Sequence, residues 1–115
     1  MNKQRRTCLH YVLDELEKLR GLTDNKEVLQ IIEKSQINIR KVADEEEEAL
    51  DNRPESLQWS AANDDMNENV SDLNEAADDL EVLSERCQEL DIYNYEFIKS
   101  DVIKIVNTIK QVIHR

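Results

Sequence analysis

Glu47, Glu48 and Asp51, followed by Glu75 and Asp78, are the residues of this 115-residue chain whose types and spacing best fit chemistry. Carboxylates three and four apart share one helix face, and a hard cation such as Mg²⁺ takes oxygen ligands of this kind. Their surroundings weaken the fit. Residues 42–91 carry 18 acidic and 2 basic side chains, so such pairs recur by chance. At about 100° per residue, Glu75 and Asp78 also fall opposite the Leu73, Ala76 and Leu80 edge of their helix, and Glu47, Glu48 and Asp51 fall opposite Val42 and Ala49. Both sets are expected to face water rather than one pocket.

Other reactive constellations are weaker still. No Glu-x-x-His pair supplies a di-iron bundle site, and no Gly-rich phosphate loop or Ser-His-Asp set occurs. Cys8, His10, Cys87 and His114 have zinc-ligand types. In an antiparallel bundle, however, Cys87 and His114 lie near opposite ends, so one ion does not collect them. Cys87 reads as a buried seam residue, Cys8 as partly buried, and the two histidines as surface or boundary residues. The expectation is a non-enzymatic chain with no catalytic residue, no metal and no cofactor.

The elements that must position these groups are long helices. Trp59, Ala62, Met66, Asn69, Leu73, Ala76, Leu80, Leu83, Cys87 and Leu90 recur at three- and four-residue spacing, which marks one seam along a helix about 48 Å long. One Gly, one Pro and 4% aromatic residues leave few turns and disfavour a sheet. The spacing predicts an all-α fold: one domain over 1–115, an antiparallel bundle of about four helices with coiled-coil-like packing. Helices are expected at about 7–20, 24–51, 60–90 and 92–113. Gly21 with Leu22 suggests a Schellman-type stop, Asp24 with Glu27 a reciprocal cap, and Asn52-Arg53-Pro54 the end of the second helix. Ser60 is the candidate cap of the third helix, and Asp91 of the fourth. The inner side of the second is read as Val28, Ile31, Ile32, Ser35, Ile39, Val42 and Ala49. The stripe of the fourth is Tyr95, Ile98, Val102, Ile105, Ile109 and Val112, with Ile103, Val106 and Ile113 widening it toward a central place or a second chain. Asn69 either pairs with a polar partner on the seam or yields the inner place to Val70.

Net charge is −11, unevenly placed: +3 over residues 1–41, −16 over 42–91 and +2 over 92–115. That balance argues against direct nucleic-acid binding, which needs a basic face. Glu45 to Glu48 and Asp51 crowd a helix C-terminus, where the dipole disfavours negative charge. Up-down topology would bring Lys3, Arg5, Arg6, Lys110 and Arg115 toward them. Asp64, Glu68, Asp72, Glu75 and Asp79 form a stripe of charges about 6 Å apart, which is either a solvated face or a surface that engages a basic protein, in the manner of a nucleic-acid mimic. No segment is apolar enough to span a membrane, and two cysteines without an apolar leader read as reduced thiols in a cytoplasmic protein.

The stretch Asp44-Glu-Glu-Glu-Glu-Ala-Leu-Asp-Asn-Arg-Pro-Glu-Ser-Leu-Gln58, with Met66-Asn-Glu-Asn-Val-Ser-Asp-Leu-Asn-Glu-Ala-Ala-Asp-Asp-Leu80, resembles small uncharacterised acidic helical proteins of bacteria, phages and mobile elements. That likeness covers the middle third and implies no activity. The EExxD of residues 47–51 and the ExxD of residues 75–78 are similar to the Mg²⁺-binding pattern of all-α nucleoside-triphosphate pyrophosphohydrolases, which would imply nucleotide hydrolysis. The leading expectation is a protein-protein interaction module that self-associates as a dimer or binds another protein. An acidic inhibitor of a basic protein and the Mg²⁺-dependent hydrolase are the alternatives.

Overall fold

Asn2 starts the first helix: its side-chain oxygen accepts the Arg5 backbone N–H at 2.9 Å in the computed structural model, which describes residues 1–115. Helix α1 runs Lys3–Glu17, four residues ahead of the expected start, because an Asn cap lies upstream of the apolar stripe. Its end differs from the expected stop. No glycine has a positive φ, so Gly21 forms no Schellman turn. The helix instead tightens into a 3₁₀ turn over Lys18–Gly21, which seats Leu19 fully in the core. Leu22 then packs half-buried against that core.

Asp24 caps α2, Asn25–Asp51, by accepting the Lys26 N–H at 2.9 Å. Asn52, Arg53 and Pro54 end it as expected, and a 3₁₀ turn over Glu55–Leu57 leads to Ser60. The Ser60 hydroxyl accepts the Asn63 N–H at 3.2 Å and caps α3, Ala61–Gln88. This helix is an unbroken rod of about 42 Å. The largest correction falls on the fourth helix. Residues 90–94 form a connection, Asn94 caps a 3₁₀ turn over Tyr95–Phe97, and α4 runs only Lys99–His114. Asp91 is therefore exposed and caps nothing.

The four helices pack as an antiparallel bundle measuring 54 × 20 × 19 Å. The long axis belongs to the α2–α3 hairpin, and α1 and α4, about half as long, cover part of it. A continuous core of 22 residues includes Leu9, Leu16, Ile32, Ile39, Leu73, Leu80, Leu83, Ile105 and Ile109. Ile113 is buried, Val106 half-buried, and only Ile103 of the α4 flank stays exposed. The Leu73 to Leu83 seam and the α4 stripe are thus buried within one chain.

Two hydrogen bonds tie the loops at one end of the bundle. Asn25 donates to the Leu90 carbonyl at 2.9 Å, and the Tyr93 hydroxyl donates to the Leu19 carbonyl at 2.7 Å. This reach of Tyr93 back to the 3₁₀ turn after α1 holds residues 90–94 out of helical geometry. Burial, reinforced by the Cys87 and Tyr95 charges, pushes the Tyr93 phenol up to about 12. The fold holds the neutral phenol, so its contribution is complete below the ordinary value of about 10 and fades as pH rises from there through the folded value. Tyr93→Phe should cost about 1 kcal/mol near neutrality. In urea melts against pH, its deficit relative to the parent should shrink as alkalinity rises past that ordinary value.

Candidate functional site

The carboxylates singled out by their spacing divide into two groups. Glu75 and Asp79 pair with Lys104 at 3.7 and 3.4 Å, Asp72 and Glu68 pair with Arg115 at 2.8 and 3.3 Å, and Asp78 pairs with Arg40 at 2.9 Å. The hydrogen bond that Lys104 donates to Asp79, with the nearby Asp79 and Glu75 charges, raises the Lys104 ammonium above its ordinary value. Four of the five stripe residues therefore meet a cation supplied by the chain itself, and Asp64 alone has none. Glu47, Glu48 and Asp51, exposed at the far end of α2, make no ion pair. Asp78 is level with Arg40, about 16 Å of helical rise from Asp51. The two carboxylate sets do not meet, and no three His, Cys, Asp or Glu side chains come together as a metal site.

Glu46 behaves differently from its neighbours in the acidic run. It is fully buried, a position read from sequence as part of a solvated face. Its Oε1 lies 3.5 Å from Arg5 Nη2, and its Oε2 accepts a hydrogen bond from Asn69 Nδ2 at 3.1 Å. Arg115 Nη1 in turn donates to Asn69 Oδ1 at 3.0 Å. Asn69 thus takes the inner seam position and Val70 only a half-buried one, which settles the choice left open by the spacing. The signal for Glu46 was present: Ile39, Val42, Glu46 and Ala49 share one helix face.

Beyond this layer the α2–α3 hairpin projects. Arg5 on α1 and Arg115 after α4 are level with Glu46 and Glu68, so the last turn of α2, the first two turns of α3 and the connection between them lack cover from the other helices. Trp59, expected on the buried seam, is 93% exposed there, and Ala62 is exposed as well. The reason is local. Ser60 caps the helix, so Trp59 lies in the turn before α3, and Asn63 takes the inner place instead. Leu57 is also exposed, whereas Arg53 folds inward, its Nη1 3.4 Å from Met66 Sδ. Leu50, Asp51, Gln58, Trp59, Asn63 and Asn67 line an open cleft of about 320 Å³ at this tip.

The remaining candidates carry no reactive geometry. A cleft of about 420 Å³ between α1 and α2 is lined in part by Glu15 and Lys18, which pair with each other at 2.9 Å. Burial raises both cysteines above the ordinary thiol value, with Lys41 opposing it at Cys8 and Arg86 at Cys87, so neither is an activated thiolate. His10 and His114 are exposed. No helix is long and apolar enough to cross a membrane.

No protein-family model, curated protein or solved structure matches the chain. The tip and the polar layer therefore stand on their own physics. Trp59→Ala should change stability by less than about 0.5 kcal/mol, whereas Leu80→Ala should cost about 3 kcal/mol. Thermal and urea unfolding distinguish the two. Glu46→Ala, which strands Arg5 and Asn69, should also cost about 3 kcal/mol despite removing a charge from a strongly acidic chain.

Proposed function

We propose that this chain is a non-enzymatic protein-binding module that engages a basic partner surface through the projecting tip of its α2–α3 hairpin. The observation that carries this reading is Trp59, almost wholly exposed beside a cluster of tip carboxylates that no cation of the chain pairs with. An exposed tryptophan serves no packing purpose, and tryptophan, with tyrosine and arginine, is enriched among interface anchors. Glu47, Glu48, Asp51, Glu55, Asp64 and Asp65 around it make no ion pairs, so the tip presents a negative field that steers a cationic partner.

Self-association is the second reading. Its two motives in the sequence, the α3 seam and the wide α4 face, are largely consumed within the chain, which favours a different partner over a second copy. Nucleotide hydrolysis has the least support, because its five candidate carboxylates are divided between the tip and the bundle flank.

Capture from the native source with a photo-crosslinker placed beside the tip tests the reading. The expected result is a cross-link that weakens with added salt, is lost in Trp59→Ala with Leu57→Ser, and survives Ile92→Ser at the other end of the bundle. Capture indifferent to the tip substitutions, or turnover of a nucleoside triphosphate with Mg²⁺, would overturn it.

A further inference from the structure

The tip cleft has a chemistry more specific than negative charge. Asn63, one of its walls, is 7% exposed, and its Oδ1 is buried without any hydrogen-bond donor. Few buried carbonyl oxygens go unpaired, and one that does marks a place where a donor is missing. Asp51, which also lines the cleft, is an exposed carboxylate with no ion pair. It also closes the C-terminus of α2, where the helix dipole favours a cation. Trp59 supplies an uncovered aromatic face at the rim, and Gln58 and Asn67 add exposed amides. The chain's own nearby cation is unavailable, because Arg53 is turned toward Met66 and Ser60.

We propose that this cleft takes the side chain of an arginine from the partner protein, its guanidinium lying on Trp59 and donating to the Asp51 carboxylate and an exposed amide oxygen of Gln58 or Asn67, above Asn63. The assignment rests on the protein-binding reading above and names the group that is recognised. Guanidinium is preferred to ammonium for a physical reason. It is planar, stacks on an indole, and carries a rigid fork of donors that reaches a carboxylate and an amide oxygen at once, whereas ammonium is a compact, strongly hydrated point charge. The acidic surroundings of the tip complement the cationic surface in which such an arginine would sit.

The probe is a short capped peptide, Gly-Gly-Arg-Gly-Gly, titrated into the full chain and followed by nitrogen–proton correlation spectra and Trp59 fluorescence. Two control peptides replace arginine by lysine or by its neutral isostere citrulline. The arginine peptide should give saturable shifts of the Trp59 indole N–H and the Asn63 side-chain amide, about tenfold tighter than citrulline, with lysine between them. Asp51→Asn and Trp59→Ala, both at exposed positions, should each weaken it several-fold, with α-helical circular dichroism unchanged. Equal binding of citrulline, shifts centred on the Asp44 to Glu48 run, or no saturable shift at Trp59 would overturn the proposal. If Trp59-dependent capture of a partner persists while the peptide result is negative, the protein-binding reading stands and only the arginine assignment falls.

Discussion

A carboxylate withdrawn from water sets the terms of this fold. Burying an ionised group costs several kcal/mol unless other groups replace its hydration, and Glu46 has no solvent exposure. Arg5 from α1, paired at 3.5 Å with an Oε1 that accepts no hydrogen bond, and Asn69 from α3, bonded to Oε2, supply part of that replacement, while Arg115, beyond α4, holds the other end of the Asn69 amide. One polar layer therefore crosses all four helices. An apolar seam of Leu, Ile and Ala tolerates a slip of one helix along another, because one greasy position resembles the next. The layer does not tolerate it. A slip of one turn between α2 and α3 would part Glu46 from Asn69, and a comparable retreat of α1 or α4 would withdraw an arginine.

The same layer marks a border. On one side lies the 22-residue apolar core; on the other, the hairpin continues alone with Met66 and Asn63 as its inner residues and Arg53 folded over them. The charges follow that border. Along the four-helix section the α3 carboxylates face Lys104, Arg40 and Arg115, so much of the repulsion expected of an acidic helix is compensated from within. Past the border no cation is placed against Asp51, Glu55 or Asp64. Repulsion among them persists in the isolated chain, and a cationic surface would relieve it.

Much of the architecture was legible in the residues. The seam from Met66 to Cys87, the Ser60 cap and the Pro54 break follow from local rules and appear as expected, while Asp24 caps α2 without the reciprocal Glu27 bond. The misreadings have separate physical causes. Trp59 and Ala62 were placed on the seam by extending its spacing back to and beyond the Ser60 cap. Ile92, Tyr95 and Ile98 keep helical spacing, but Tyr93 is drawn to the Leu19 carbonyl, a contact 74 residues distant that no local pattern contains. Glu46 was hidden in a run of four glutamates whose composition speaks of water while its face speaks of the core. The acidic stripe was correctly read as a helix face. Lys104 was not visible as its cation, because that residue lies far along the chain and reaches the stripe only through tertiary packing, and Arg115, expected near the acidic end of α2, pairs with Glu68 and Asp72 of the stripe.

The two ends of the bundle are physically unequal, and the proposed function rests on that inequality. At the closed end, Asn25 and Tyr93 lock two connections together, and the exposed Ile92 and Phe97 belong to the loop that those bonds hold. At the open end the connection is closed mainly by its own capping bonds and by Arg53, and the largest aromatic of the chain stands in solvent. Interior packing gains nothing from Trp59. A binding surface does, provided that the element presenting it keeps its position, and the polar layer beneath the tip supplies that footing. On the proposed reading, stability and recognition fall on different stretches of the same two helices, divided at Glu46 and Asn69, so that substitutions at the tip would alter what is bound without loosening the body that presents it.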